Sequence, residues 1–187
     1  NDFKSFYNCS MAPRRPDPPA ERSRRRHDLL DAATWLLDRW SVSEVTMDRI
    51  AGRAGVAKGT LYRYFRTREE LLLAIWENEH RLWLEDFQRR LADDGGRLTT
   101  RWVGLAIARS ALARPRLSVL HGRVRSELEH NLPLAVVRAL KQRELDRLAD
   151  TAVNLAERFP SLHAAAARRW LMGVDAVAAG LLPHASP

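Results

Sequence analysis

Residues 46–71 read TMDRIAGRAGVAKGTLYRYFRTREEL, and the fold turns on how this stretch is parsed. Thr46 is a good helix N-cap and Asp48 adds a carboxylate to the first turn, so a short helix starts here. Met47, Ile50, Ala51 and Ala54 recur at helical spacing and give it a buried face. Gly55 tolerates the positive φ of a tight inter-helix turn, and Val56 plugs the angle that follows. The next helix spans 57–65. If Leu61 and Phe65 face inward, helical geometry turns Lys58, Gly59, Tyr62 and Arg63 outward. Two short helices, a glycine turn and a small residue at the crossing, Ala51, are the parts of a helix-turn-helix.

Upstream, Leu29, Leu30, Ala33, Leu36, Leu37 and Trp40 predict an amphipathic helix over about 24–40, with Ser41 and Val42 starting a turn. Downstream, Thr67 with Glu70 three residues on is a capping-box pattern. It opens a long helix from 68 to about 91 whose stripe is Leu72, Trp76, Trp83, Phe87 and Leu91. Asp93 to Gly96 make a loop. Further helices are predicted at about 99–113, 115–131 with a break near Gly122, 134–158 and 162–182, punctuated by Pro115, Pro133 and Pro160. No segment alternates with strand periodicity. The expected fold is all-α: a three-helix unit joined by a long helix to a C-terminal helical domain. The expected divisions are a flexible leader and basic arm at 1–23, the helix-turn-helix domain at 24–66 and the second domain at 67–187.

The chain has 187 residues, 29% of them charged and 45% apolar, with a net charge of +8. That composition belongs to a globular protein. No uninterrupted apolar run approaches the roughly 18 residues of a membrane span. Six basic residues, Arg49, Arg53, Lys58, Arg63, Arg66 and Arg68, stand against Asp48 alone between 46 and 68. Such a patch suits a polyanion, whose condensed counterions are released on binding; a merely solvated basic face is the competing reading. Arg22 and Arg24 to Arg26 are candidates for an adjacent minor groove. The lone Cys9 excludes a disulfide framework and a cysteine-based metal site and fits a reducing cytoplasm. Residues 1–10 lack the features of a signal peptide, and the expectation is that Met11 is the natural start.

The pattern Thr-Met-x-x-Ile-Ala-x-x-Ala-Gly-Val-x-x-Gly-Thr-Leu-Tyr-x-Tyr-Phe over 46–65, followed by Arg68-Glu69-Glu70-Leu71, resembles the DNA-binding domain of TetR-type bacterial regulators. The resemblance covers roughly residues 24–75. It implies a dimer that binds a double-stranded DNA operator and answers to a small-molecule effector. Carried over residue by residue, it implies Lys58, Gly59, Tyr62 and Arg63 as the groove-facing set, with Ala57 beside them, and Thr46, Thr60, Tyr64 and Arg68 as phosphate contacts. For Tyr62 and Tyr64 the competing reading is packing between helices. Two positions depart from the family pattern: Ser41 stands where glycine is usual, and Arg68 where lysine is common.

The second half offers only candidates. Trp76, His80, Trp83, Trp102, His121, Arg125 and Trp170 could line an effector pocket, although tryptophans and histidines among apolar neighbours also serve as ordinary core. Val137, Leu140, Leu145, Leu148, Ala152 and Leu155 on one helix, and Ala166, Gly173, Ala176, Val177, Gly180 and Leu181 on the next, fit either a four-helix dimer interface or an intrachain core. Two Glu-x-x-His pairs, Glu77 with His80 and Glu127 with His130, raise the alternative of a di-iron carboxylate enzyme. That alternative lacks further carboxylates between Asp94 and Glu127. A helical interaction protein that no longer binds DNA is a second alternative. No phosphate loop, zinc-protease pattern or nucleophile elbow is present, so neither an enzymatic activity nor a cofactor is expected.

Overall fold

A computed structural model describes residues 18–93, 99–124, 132–159 and 161–185. Among the described residues there are eight α-helices and no strand. They are α1 (Pro19–Leu37), α2 (Met47–Ala54), α3 (Lys58–Tyr64), α4 (Arg68–Asp93), α5 (Thr100–Leu112), α6 (Pro115–Arg123), α7 (Leu134–Arg158) and α8 (Ala164–Ala185). No helix among them is long and apolar enough to cross a membrane.

The first helix starts five residues earlier than its apolar periodicity indicates. Pro19 at N1 has its φ already set for a helix, and Glu21 lies in the first turn, so the end of the expected arm is helical. At the other end α1 stops at Leu37, before Trp40, and a 3-10 turn at Val42–Glu44 follows. Ser41 caps that turn: its backbone N–H and its hydroxyl both donate to the Glu44 carboxylate, at 3.0 and 2.7 Å. This cap does for the connection what a glycine would do by conformational freedom.

Thr46 accepts the Arg49 N–H at 3.3 Å and starts α2. Gly55 closes it with φ 66°, its N–H bonding back to Ala51 and Gly52 carbonyls. Val56 also donates to Ala51, at 3.0 Å. Leu29, Ala33, Val45, Ile50, Leu61 and Phe65 are fully buried and form the core of the three-helix unit. The Arg26 guanidinium lies over the Phe65 ring, 4.8 Å from its centroid.

At the start of α4 the Glu70 N–H donates to Thr67 Oγ1 at 3.1 Å, and the Glu70 carboxylate accepts the Arg66 N–H at 2.7 Å. The reciprocal half of the capping box therefore falls one residue earlier than the simple pattern places it. Leu71 and Leu72, fully buried, join the core of the three-helix unit, and Trp76, Trp83, Phe87 and Leu91 continue the same buried cluster along the helix into the larger bundle. There α4 packs against α5, α6 and α7, and α8 packs on α6 and α7.

The two faces proposed for α7 and α8 separate in the structure. Leu140, Leu148, Ala152 and Leu155 of α7 are buried within the chain, whereas Gly173, Ala176, Val177, Gly180 and Leu181 of α8 are exposed. The α7 set is thus intrachain core. Because Gly55 sits at positive φ, Gly55→Ala is expected to destabilise the fold by about 1–2 kcal/mol; a urea midpoint that does not fall would contradict this.

Candidate nucleic-acid interface and regulatory core

Helix α3 is held from behind by Leu61 and closed by Phe65, both fully buried. Its other side carries Lys58, Gly59, Tyr62 and Arg63, all exposed, with Tyr62 at 42%. Ala57 and Thr46 are exposed at the edges of the same surface, and Thr60 and Tyr64 are half-buried beside it. A Cβ added at Gly59 would meet nothing within 4 Å, so no packing within the chain requires a glycine there.

The basic charge of this region is divided between two tasks. Arg53 lies over Trp35 at 4.4 Å and Arg49 over Trp40 at 5.4 Å, and Trp35 and Trp40 meet edge to face at 5.8 Å. These α2 arginines cover tryptophan faces, a cation–π use that the count of basic residues does not reveal. Lys58 pairs with Asp48 at 2.7 Å, and that hydrogen-bonded carboxylate raises its pKa. Arg68 is half-buried and donates to the Val42 carbonyl, bracing α4 against the 3-10 turn.

In the second half, α5 and α8 flank an apolar cavity of about 660 Å³ with Trp83 of α4 on its wall. Of the sequence-predicted pocket residues, Trp83 and Trp170 line it, with Ile107, Leu112 and Val177 among their neighbours. Trp102 is half-buried on α5 outside that lining. Arg125 lies outside the described residues, as do Glu127 and His130.

Trp76, His80 and His121 meet in a buried cluster beside the cavity. The Trp76 Nε1–H donates to His121 Nδ1 at 2.8 Å, and the two rings stack at 5.8 Å. Indole can only donate, so His121 Nδ1 is unprotonated and Nε2 carries the hydrogen. Nε2 faces the Asp175 backbone carbonyl at 3.1 Å and its carboxylate at 3.2 Å. His80 Nε2 lies 3.0 Å from the same carboxylate. Burial would push the Asp175 carboxyl up, but the hydrogen bonds from His121 and then His80 outweigh it and hold the group well below the usual carboxylate range. Sequence reading passed over Asp175. Its signal was that it is the lone acid in the otherwise apolar and basic run 164–182.

Glu77 and His80 do not converge. Glu77 turns toward α7, where Arg143 Nη2 donates to it at 3.0 Å and Arg147 Nη1 at 3.3 Å, while His80 points into the core. The pair therefore forms no di-iron half-site. One more ion-pair chain connects the two halves: Arg116 of α6 donates to Asp38 just after α1 at 2.9 Å and to Glu79 of α4 at 2.9 Å. Arg114 also reaches Glu79, at 3.3 Å.

A helix-turn-helix unit fused through one long helix to a larger helical bundle defines a class of two-part, DNA-binding-type folds. Residues 29–75 match the family described as "Bacterial regulatory proteins, tetR family", and residues 77–187 the one described as "Tetracyclin repressor-like, C-terminal domain". The chain belongs to the TetR family. Over 120 residues, 63% of this chain, it is 26% identical to the fatty acid metabolism regulator protein of Bacillus subtilis and spans 54% of that relative's length. Two solved structures share its fold. The TetR family repressor AlkX from Dietzia sp. matches with a TM-score of 0.57 and 21% identity over 84% of this chain and 82% of its own. The fatty acid degradation regulator FadR from Bacillus halodurans matches at 0.53 and 19% over 83% and 86%.

For Glu77, burial alone would raise the pKa, but Arg143 and then Arg147 outweigh it and lower it. A lowered folded pKa stabilises fully above the unfolded glutamate value of about 4.3, and that stabilisation is lost as pH falls through the folded value. Since Glu77 is partly exposed and its partner Arg143 more so, screening keeps the contribution to about 1 kcal/mol or less. Glu77→Gln should therefore lower stability slightly at neutral pH, with the difference from the parent closing in acid; urea titrations at the two pH values check this.

Proposed function

We propose that this chain is a ligand-responsive transcriptional repressor that binds a roughly palindromic DNA operator as a homodimer and is released by a small effector with an aliphatic chain. The observation that carries this reading is the outward face of α3, where Lys58, Gly59, Tyr62 and Arg63 stand together on the second helix of a helix-turn-helix. That helix is the one such motifs place in the major groove. The exposed Lys58–Asp48 pair is worth little in water, so Lys58 exchanges it readily for DNA. Gly59, with nothing of its own chain near it, lets a DNA backbone approach closely. Ala57 borders this face, Thr46, Thr60 and Tyr64 supply phosphate contacts at its edges, and Arg68 supports it by bracing α4.

The outer side of α7 and α8 suits a two-fold contact. Ala149, Val153, Ala165 and Met172 line a groove there together with Arg168 and Arg169. A homodimer formed on this side has to hold its two α3 helices about 34–36 Å apart, one helical turn of DNA, to read successive major grooves. The relatives named above concern fatty acid metabolism, fatty acid degradation and, for AlkX, n-alkane biodegradation. Together with the apolar lining of the cavity beside Trp83 and Trp170, this favours an aliphatic chain as effector. Coupling to DNA would run through α4 and the Asp38–Arg116–Glu79 bridge, and it must be reciprocal.

An operator located by footprinting the chain's own upstream DNA provides the test. Gly59→Ala should leave stability unchanged or raise it by up to about 1 kcal/mol, as expected for an exposed helix position. Operator affinity should fall about tenfold or more, equivalent to about 1.4 kcal/mol. Unchanged operator affinity in a Lys58→Ala, Tyr62→Ala double variant would overturn the assignment of this face.

A further inference from the structure

The polar cluster at the centre of the bundle is not needed by an apolar effector pocket. A ring nitrogen of His80 on α4, a carboxylate oxygen of Glu144 on α7 and one of Asp175 on α8 lie within 4.8 Å of one another. The three residues are 0%, 4% and 1% exposed. We propose that His80, Glu144 and Asp175 form a binding site for a divalent first-row transition-metal ion, in the regulatory half of the chain.

The donor set suits such an ion. One imidazole and two carboxylates are the ligand types that zinc and its neighbours accept, and three protein ligands leave a coordination position open for water or another group. Donors about 2.1 Å from a shared ion are at most about 4.2 Å apart. His80 Nε2 and Asp175 are already at 3.0 Å, where an ion would take the place of the hydrogen between them, and the 4.8 Å limit on the set leaves Glu144 a short approach to make. A 2+ ion also neutralises two carboxylates in a place where burying charge is costly.

The surroundings behave as an outer shell. His121 donates Nε2–H to Asp175, and the Trp76 indole fixes that tautomer. His121 thus cannot ligate through Nε2 while Nδ1 accepts from Trp76; it orients the Asp175 carboxylate, as outer-shell partners of metal ligands do. Access exists as well. A cavity of about 330 Å³ between α7 and α8 reaches two of the three donors, Glu144 and Asp175, and is lined besides by Leu148, Met172 and Lys141. Lys141 holds Glu144 at 3.1 Å on that side. The ion would join α4, which continues from the helix-turn-helix, to α7 and α8.

The experiment uses the full chain without a histidine tag. Equilibrium dialysis against zinc followed by metal analysis should give one ion per chain, and cobalt should give visible ligand-field absorption. Glu144→Gln and His80→Gln should each weaken binding about tenfold or more, with helicity and operator binding in metal-free buffer showing that each variant is folded. If His80→Gln does not fold, Glu144→Gln alone decides. Absence of stoichiometric metal, or equal binding by parent and Glu144→Gln, would overturn the proposal. Operator binding in metal-free buffer tests the repressor reading separately, so the two fail independently.

Discussion

One helix threads a single continuous hydrophobic core that runs from the three-helix unit into the larger bundle. Leu71 and Leu72, at the start of α4, belong to the same buried cluster as Ile50, Leu61 and Phe65, and Trp76, Trp83, Phe87 and Leu91 carry that cluster along the helix into the larger bundle. With 26 residues, α4 is about 39 Å long, and the core follows it without a break. Apolar burial at both ends fixes its rotation, so a displacement in the larger bundle cannot leave the three-helix unit untouched. The α3 face is backed by Leu61 and Phe65 of the same cluster. The position of the DNA-facing helix is therefore tied to the packing around Trp76 and Trp83.

Ion pairs add a second, narrower connection. Arg116 joins the end of α1 to α4 through Asp38 and Glu79. Burial works against its charge, but the bonds to Glu79 and then Asp38 outweigh that and raise its pKa. Deeper in, Trp76, His80, His121 and Asp175 form a chain of buried polar groups. Leaving such a group unmatched costs more than a surface pair gains, so these contacts specify one arrangement of α4, α6 and α8.

Charge shows how a sum over residues misleads. Six basic side chains crowd 46–68, yet Arg49 and Arg53 lie on tryptophans and Arg68 braces a backbone carbonyl. What presents positive charge outward on α3 is the stretch around Lys58 and Arg63. The polyanion argument survives in a narrower form, because the same guanidinium that binds phosphate also packs on an aromatic ring.

The helix-turn-helix was legible in residues 46–71 because its rules are local: an N-cap at Thr46, a left-handed glycine at Gly55, and Leu61 and Phe65 one turn apart. Helix α7 was equally legible, since Pro133 opens it and its apolar period continues to Leu155. Local rules did not reveal the early start of α1, where Pro19 counts for more than the missing apolar stripe, nor that α7 would spend its apolar face inside the chain. They also could not bring Asp175 to His80, 95 positions earlier. Which of the seven pocket candidates reach the cavity likewise depends on how α4, α5 and α8 rotate against one another. Spacing along a chain encodes the face of a helix; which neighbour that face meets is set by the joint packing of all of them.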